Sequence, residues 1–295
     1  MQYFTSASLD REHCLNIRHQ SFHLLDLTSP SITRIRLGPT NLSVDEIQNF
    51  PATLEHLEWD IGHDVPNDMT LRALFQRSSI AHLRLRFRNH RVIQSLWRCL
   101  MCAEHLQELD LRGNLIGDEG IADIAKEILR SNLKSLNLGL NRITDLGATH
   151  IANLISNPSC QLIRLDLNSN LIGNAGGYKL ALALKYNTNL KSFVLHGNSK
   201  ISCGCVFVDC LQVNSSLLDW NLQQTHLQCC EVTAINYWLM LNRCGRKILK
   251  NDLLPCGLWP RFLEKHAGSS QHPDALFYFL SQRPDLVANR CRPVR

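Results

Sequence analysis

The sequence predicts an α/β solenoid, a right-handed stack of strand–turn–helix units with parallel strands on one side and helices on the other. Three observations predict it. A spaced leucine pattern returns at near-constant intervals, an asparagine stands at a fixed place after each pattern, and an apolar helical stripe stands at a fixed place after each asparagine.

The pattern is cleanest in the middle of the 295-residue chain. Leu106, Leu109, Leu111, Asn114 and Ile116 recur without gaps as Leu133, Leu136, Leu138, Asn141 and Ile143, then as Leu162, Leu165, Leu167, Asn170 and Ile172. A fourth copy is Leu190, Phe193, Leu195 and Asn198, and a fifth is Leu217, Trp220, Leu222, Thr225 and Leu227. The steps between first leucines are 27, 29, 28 and 27 residues, enough for a strand and a helix in each unit. Leu-x-Leu alternation puts two leucines on one face of a short strand and the intervening residues on the other. The asparagine then turns the chain. Its amide is suited to pair with backbone groups inside the turn, and stacked copies would satisfy otherwise orphaned peptide groups along the array.

Asp118, Asp145 and Asn174 stand four residues after their asparagines, where each is placed to cap the following helix; Gly120, Gly147 and Gly176 stand six residues after. The stripes Ile124/Ala125/Ile128, Ile151/Ala152/Ile155 and Leu180/Ala181/Leu184 each select one helical face.

The sequences N-x-I-G-D-E-G and N-x-I-T-D-L-G, each followed by a short alanine-containing helix, resemble the ribonuclease-inhibitor subfamily of leucine-rich repeats. The resemblance covers Leu106 to about Ile201. It implies a horseshoe with strands lining the concave side and helices outside. That subfamily includes ribonuclease inhibitor, the repeat domains of NOD-like receptors and the GTPase-activating protein of Ran. A full NOD-like receptor is not expected, because no G-x-x-x-x-G-K-[ST] motif precedes the repeats.

Upstream the rhythm loosens to Ile32, Ile35, Leu37, Thr40, Leu42, then Leu54, Leu57, Trp59, then Ile80, Leu83, Leu85, with Phe22, Leu25 and Leu27 as an earlier strand. The expected division is a solenoid over 1–230, irregular to about 105 and regular over 106–228, and a helical C-terminal cap over 231–295. The cap carries Ile235, Trp238, Leu239 and Leu241 on one helix, a short segment at Leu258-Trp259-Pro260, and a final helix from Pro273 through Leu280. A repeat array needs such an end to cover its last apolar face.

The formal charge of +5 sits in the tail: residues 242–295 hold ten Lys/Arg against four Asp/Glu, which leaves the repeats close to neutral. Tail aromatics interleave with those charges at packing spacings, so nucleic acid is not the expected partner. With 44% hydrophobic and 19% charged residues, no 18-residue apolar run and a polar N-terminus, the chain reads as intracellular. The expectation is a monomer, cytoplasmic rather than nuclear and free of membrane. The twelve cysteines are scattered rather than framed, as reduced thiols packed as small hydrophobes would be. Cys203-x-Cys205 with Cys210 and His196 lacks the paired spacing of structural zinc and reads as a structural loop. No nucleophile elbow, phosphate cradle or H-E-x-x-H is present. Neither catalysis, a cofactor nor a metal is expected.

What remains is protein binding on the concave face, by a partner whose identity the sequence does not name. The outward strand positions include Arg84, Arg86, Glu108, Asp110, Arg112, Asn137, Arg164, Asp166, Asn168, His196, Asp219 and Asn221 as candidate contacts. The arginine-rich run Arg84, Arg86, Arg88, Arg91, facing Glu108, Asp110 and Arg112, is the expected centre. Two alternatives stand beside this reading. One is Ran-type GTPase activation, whose family usually shows an acidic C-terminal stretch where this tail is basic. The other is a ubiquitin-ligase adaptor, because Met240-x-x-x-Cys244-x-x-x-Ile248 loosely resembles the elongin-binding helix of a SOCS-type box without its usual leucine.

Overall fold

The computed structural model describes residues 7–10, 14–17, 32–63, 66–88, 91–100, 102–247 and 273–282. The strand expected at Phe22–Leu27 and the segment at Leu258–Pro260 lie outside them. One open sheet runs in chain order through β1 (Ala7–Asp10), β2 (Cys14–Ile17), β3 (Arg34–Leu37), β4 (His56–Gly62), β5 (His82–Phe87), β6 (Glu108–Asp110), β7 (Ser135–Asn137), β8 (Arg164–Asp166), β9 (Ser192–Val194) and β10 (Asp219–Asn221). Only the pair β1/β2 is antiparallel. Helices alternate with the strands from β3 onward: α1 (Val44–Gln48), α2 (Asp68–Phe75), α3 (Arg91–Leu100), α4 (Gly117–Ile128), α5 (Asp145–Ser156), α6 (Asn174–Tyr186), α7 (Cys205–Val213) and α8 (Cys229–Arg243). A further helix, α9, spans Pro273–Gln282.

Each helix packs on the one before it, as each strand pairs with the one before it. Strands stack about 4.8 Å apart and helices about 8–10 Å apart, so the array curves with its strands on the inner side. Between the layers runs one continuous core from Ile32 to Leu239, to which every repeat contributes its spaced leucines.

The asparagines at the strand-to-loop turns form a buried ladder. Asn141 is fully buried; its Oδ1 accepts from the N–H groups of Asn114 (3.0 Å) and Ile116 (3.3 Å), and its Nδ2 donates to the carbonyls of Leu111 (2.9 Å) and Gly139 (3.1 Å). Asn170 does the same one repeat on, for Asn141, Ile143, Leu138 and Leu167. Asn114 and Asn198 extend the series at either end. It stops at Thr225, whose hydroxyl reaches only its own repeat, donating to Leu222 O. The residue before each of these positions is left-handed: Gly113, Leu140, Ser169, Gly197 and Gln224 all have φ between 52° and 78°. Three carry a side chain there, at about 1–2 kcal/mol apiece, so the turn is imposed by the stack.

Asp118, Asp145 and Asn174 do not cap their own helices. Each lies inside the first helical turn, and its side chain serves the next repeat. Asp118 Oδ1 accepts from Thr144 N (2.8 Å) and Gly147 N (2.9 Å), Asp145 Oδ1 from Gly173 N (2.6 Å), and Asn174 Oδ1 from Ser202 N (2.8 Å). This explains the glycine two residues further on. A Cβ at Gly147 would lie 2.4 Å from Asp118 Oδ1, and one at Gly176 would lie 2.6 Å from Asp145 Oδ1. The repeat signature D-x-G therefore pairs the carboxylate of one unit with the glycine of the next.

A second asparagine series closes the helix C-termini. Asn187 Nδ2 donates to Ile155 O (2.7 Å), Asn214 Nδ2 to Leu184 O (2.6 Å) and Asn187 O (2.9 Å), and Asn242 Nδ2 to Asn214 O (3.1 Å) and Leu217 O (2.8 Å). Through Asn242, helix α8 joins the stack as the helix of the β10 repeat. In the irregular N-terminal repeats other side chains take over. Trp59 Nε1 donates to Thr40 O (3.0 Å), and the Arg77 guanidinium donates to the carbonyls of Gln48, the last residue of α1, and of Phe50 and Pro51 just after it.

Asn141→Ala leaves the N–H groups of Asn114 and Ile116 unpaired in a dry turn, while the Leu111 and Gly139 carbonyls keep a second donor, and is expected to cost at least about 2 kcal/mol in urea unfolding; a loss under about 1 kcal/mol would show that water fills the ladder. Gly147→Ala should also destabilise, and by less in an Asp118→Ala background. A double-mutant cycle measures the coupling, and strict additivity would sink the carboxylate–glycine pairing.

Candidate partner-binding face

Parallel register sorts the outward side chains of the sheet into columns. One reads Arg34, His56, His82, Glu108, Ser135, Arg164, Ser192, Asp219; the next reads Arg36, Glu58, Arg84, Asp110, Asn137, Asp166, Val194, Asn221. In the second column the signs alternate and the charges pair. Arg36 Nε lies 2.8 Å from Glu58 Oε2; Arg84 Nη1 lies 3.8 Å from the same oxygen, while Arg84 Nε lies 2.9 Å from Asp110 Oδ2. Burial works against ionising Glu58, yet the hydrogen bond and charge of Arg36, with help from Arg84, hold its carboxyl below the usual carboxylate range.

In the first column the His56 and His82 rings stack with centroids 4.1 Å apart, and His82 Nδ1 sits 2.9 Å from Glu108 Oε2. Arg164 also pairs with Glu108, reaching past Ser135, whose small side chain on the intervening strand leaves the way open. Burial, then the charges of His82 and Arg34, push His56 down from 6.5. At the far end Asp219 pairs with Arg243 of α8 at 3.1 Å, and both border a cleft of about 500 Å³ between β10 and α8 that Asn221 also lines.

Several candidate contacts turn out to shape the strand ends. Asp110, Asn137, Asp166 and Asn221, like Asp60 on β4, each accept, through Oδ1, the N–H two residues on, at 2.8 to 3.0 Å. These Asx turns end the strands and start the loops. Asp166 is held there against its own ionisation: burial raises its pKa, and the Asn168 N–H, Arg112 and His196 offset that only in part. Asn168 is not a surface contact. It is 7% exposed and packs over Gly139, where a Cβ would lie 1.7 Å from its Oδ1. His196 is half-buried beside it.

Three arginines differ from the rest. Alternation in β5 continues past the strand, so Arg84, Arg86 and Arg88 share a face with Phe87 buried between them, and Arg112 follows Asp110 in the turn just past β6. Arg86, Arg88 and Arg112 are exposed, and no carboxylate stands within 4.0 Å of their guanidinium groups among the described residues. The side chain of Arg91 lies outside the described set. The structure thus divides the predicted arginine run: Arg84 is spent inside the face, while Arg86, Arg88 and Arg112 remain open. Strand alternation also places Arg36, Glu58, His56 and His82 on the outward face, and the sign alternation across successive repeats is the signal in the sequence that would have paired them.

Of the SOCS-like helix, Cys244 is buried against Leu241 and Phe279 with Met240 beside it, and Ile248 lies outside the described residues. Among the described residues no helix is long and apolar enough to cross a membrane, and no group of three or more His, Cys, Asp or Glu is placed to hold a metal ion.

A family model described as Leucine Rich repeat matches residues 103–125, 131–152 and 159–181. Over 133 residues the chain is 30% identical to ribonuclease inhibitor from Sus scrofa, a stretch that covers 44% of this chain and 29% of that protein. With its repeating strand–helix stack, the chain is a leucine-rich-repeat protein. Its regular repeats are ribonuclease-inhibitor-like, and the match spans under a third of that relative's length. Among solved structures, the repeat protein LegL7 from Legionella pneumophila overlaps at 15% identity, covering 78% of this chain and 89% of its own, with a TM-score of 0.47. The tropomodulin C-terminal domain of Caenorhabditis elegans overlaps at 17% identity, covering 54% and 97%, with a TM-score of 0.46. A yeast Rad7 and Elc1 complex gives 19%, 72%, 63% and 0.44.

Because folded His56 resists the proton that the unfolded chain accepts, stability is expected to fall as pH drops below 6.5, until the folded His56 itself titrates. His56→Gln should flatten that slope in urea titrations between about pH 7 and pH 5, and an unchanged slope would remove His56 from the account. For Asp166 the sign is opposite, since its raised pKa costs stability once the carboxylate ionises. Asp166→Asn keeps an oxygen for the Asn168 N–H and should raise Tm at neutral pH; a lower Tm would mean that the charge itself stabilises the sheet.

Proposed function

We propose that this chain is a non-catalytic binding module that captures a protein partner on the inner face of its curved sheet, with Arg86, Arg88 and Arg112 receiving an acidic segment of that partner. The observation that carries the reading is selective neutralisation. Arg36, Arg84, Arg164 and Arg243 each hold a carboxylate of the chain itself, whereas the three arginines at the carboxyl ends of β5 and β6 hold none among the described residues.

Paired arginines would have to abandon a partner before taking a new one. Open guanidinium groups, planar and weakly hydrated, meet carboxylates bidentately at lower cost. Their clustered charge also steers an acidic segment toward the face before contact. Glu108, Arg164 and Asp219 then form a mixed-charge surround that sets orientation, and Asp110, Asn137, Asp166 and Asn221 fix the loops that carry the contacts. Leucine-rich-repeat architecture supports this use, because outward strand residues are free to differ without disturbing the leucine core. His196 and Asn168 contribute shape from below. The free thiols fit a reducing intracellular compartment.

Fluorescence anisotropy with a labelled oligoglutamate peptide tests the proposal. Binding should weaken steeply with added salt and fall at least about tenfold in the Arg86→Glu/Arg112→Glu variant. Arg130→Glu, on the helical side, should leave it intact. Equal binding of a neutral peptide, or no loss in the double variant, would place the contact elsewhere.

A further inference from the structure

The turn that leads into α7 brings two thiols together. Cys203 Sγ and Cys205 Sγ are 3.1 Å apart, and both residues are exposed. Their backbone is anchored from both sides of the stack. Asn174 of the preceding repeat accepts from Ser202 N (2.8 Å) and Cys203 N (3.2 Å), and Glu231 of the following repeat accepts from Gly204 N at 2.8 Å. Glycine is required between the cysteines, because a Cβ at Gly204 would lie 2.7 Å from Glu231 Cδ. Folding has thus already brought the two sulfurs side by side, about 1 Å beyond bonding distance.

The other described cysteines lack this setting. Cys99, Cys160 and Cys210 are buried, and burial pushes the Cys210 thiol up to about 12, which leaves it inert at neutral pH. Cys229 and Cys230 are exposed one repeat further on and serve as an internal comparison.

We propose that Cys203 and Cys205 form a reversible dithiol–disulfide site that exchanges with small disulfides of the glutathione class. The Cys203 thiolate attacks one sulfur of the small disulfide, breaking its S–S bond and releasing one thiol. Cys205 then attacks the Cys203 sulfur of the mixed disulfide, forms the internal S–S bond and expels the second thiol. The protein loses two electrons and two protons, and the small disulfide gains both as two thiols. Cys205 takes the second step because the hydrogen bond it shares with Cys203, with desolvation and the Cys203 charge adding to it, holds its thiol up. In a reducing compartment such a bond forms transiently, when the small-disulfide pool rises.

The full chain is treated with oxidised glutathione across a series of reduced-to-oxidised ratios, quenched with acid and mapped by peptide mass spectrometry. The expected product is a Cys203–Cys205 linkage that dithiothreitol reverses. Cys205→Ser should instead stop at a glutathione adduct on Cys203, with an unchanged circular-dichroism melt to show that it folds. Separate adducts on Cys203 and Cys205 with no linkage between them, or linkage of either to Cys229 or Cys230, would overturn the proposal.

Discussion

The structure depends on one constraint: a chain that turns at the end of every strand must pair the buried peptide groups of that turn without water. A helix or a sheet does this by periodicity, but a sharp turn repeated in register has no such internal solution. A side chain with both a donor and an acceptor is needed, short enough to stay in the turn. Asparagine meets it, and each copy joins the turn it sits in to the turn before it. The ladder from Asn114 to Asn198 is therefore both a local turn device and the link between repeats. Its reach is long enough to hold Leu140 and Ser169 in left-handed backbone that neither would choose alone.

Two further sets of bonds lock the same register at the helical side. The carboxylates of Asp118 and Asp145 enter the space that Gly147 and Gly176 vacate, and the asparagines at the helix C-termini hand their amides back to the preceding unit. With strand turns, helix starts and helix ends each tied to a neighbour, a unit has little freedom to slide. That rigidity turns a row of outward side chains into fixed columns. It also explains how Asn174, Gly204 and Glu231, each part of such an inter-repeat bond, hold the Cys203–Cys205 turn so closely.

Fixed columns make the electrostatics of the inner face a matter of pairing rather than of net charge. Strands about 4.8 Å apart bring opposite charges on successive repeats into ion-pair range, and the chain uses this from Arg36 to Asp110. Where the alternation ends, at the strand tips bearing Arg86, Arg88 and Arg112, positive charge is left with no carboxylate in ion-pair contact among the described residues. A count of arginines along the sequence weights Arg84 and Arg86 equally; their surroundings separate them.

The sequence by itself determined the stack. Leucine spacing, the recurring asparagine and the helical stripes name the strands, the turns and the helices from Leu106 onward, because these features act within one unit and repeat in every unit. It did not reveal what each polar residue faces across the boundary between units. Asp118 looks like a cap for its own helix and serves the next one; Asp166 and Asn221 look like contacts and turn out to end strands; Cys203 and Cys205 look like an ordinary loop and hold their sulfurs together. Only the tertiary structure decides such roles: the groups that Asp118 serves lie 26 and 29 residues away, and where the partner is two residues away, as for Asp166, Asn221 and Cys203, the turn that brings the pair together is held by the packing of neighbouring repeats rather than by local sequence.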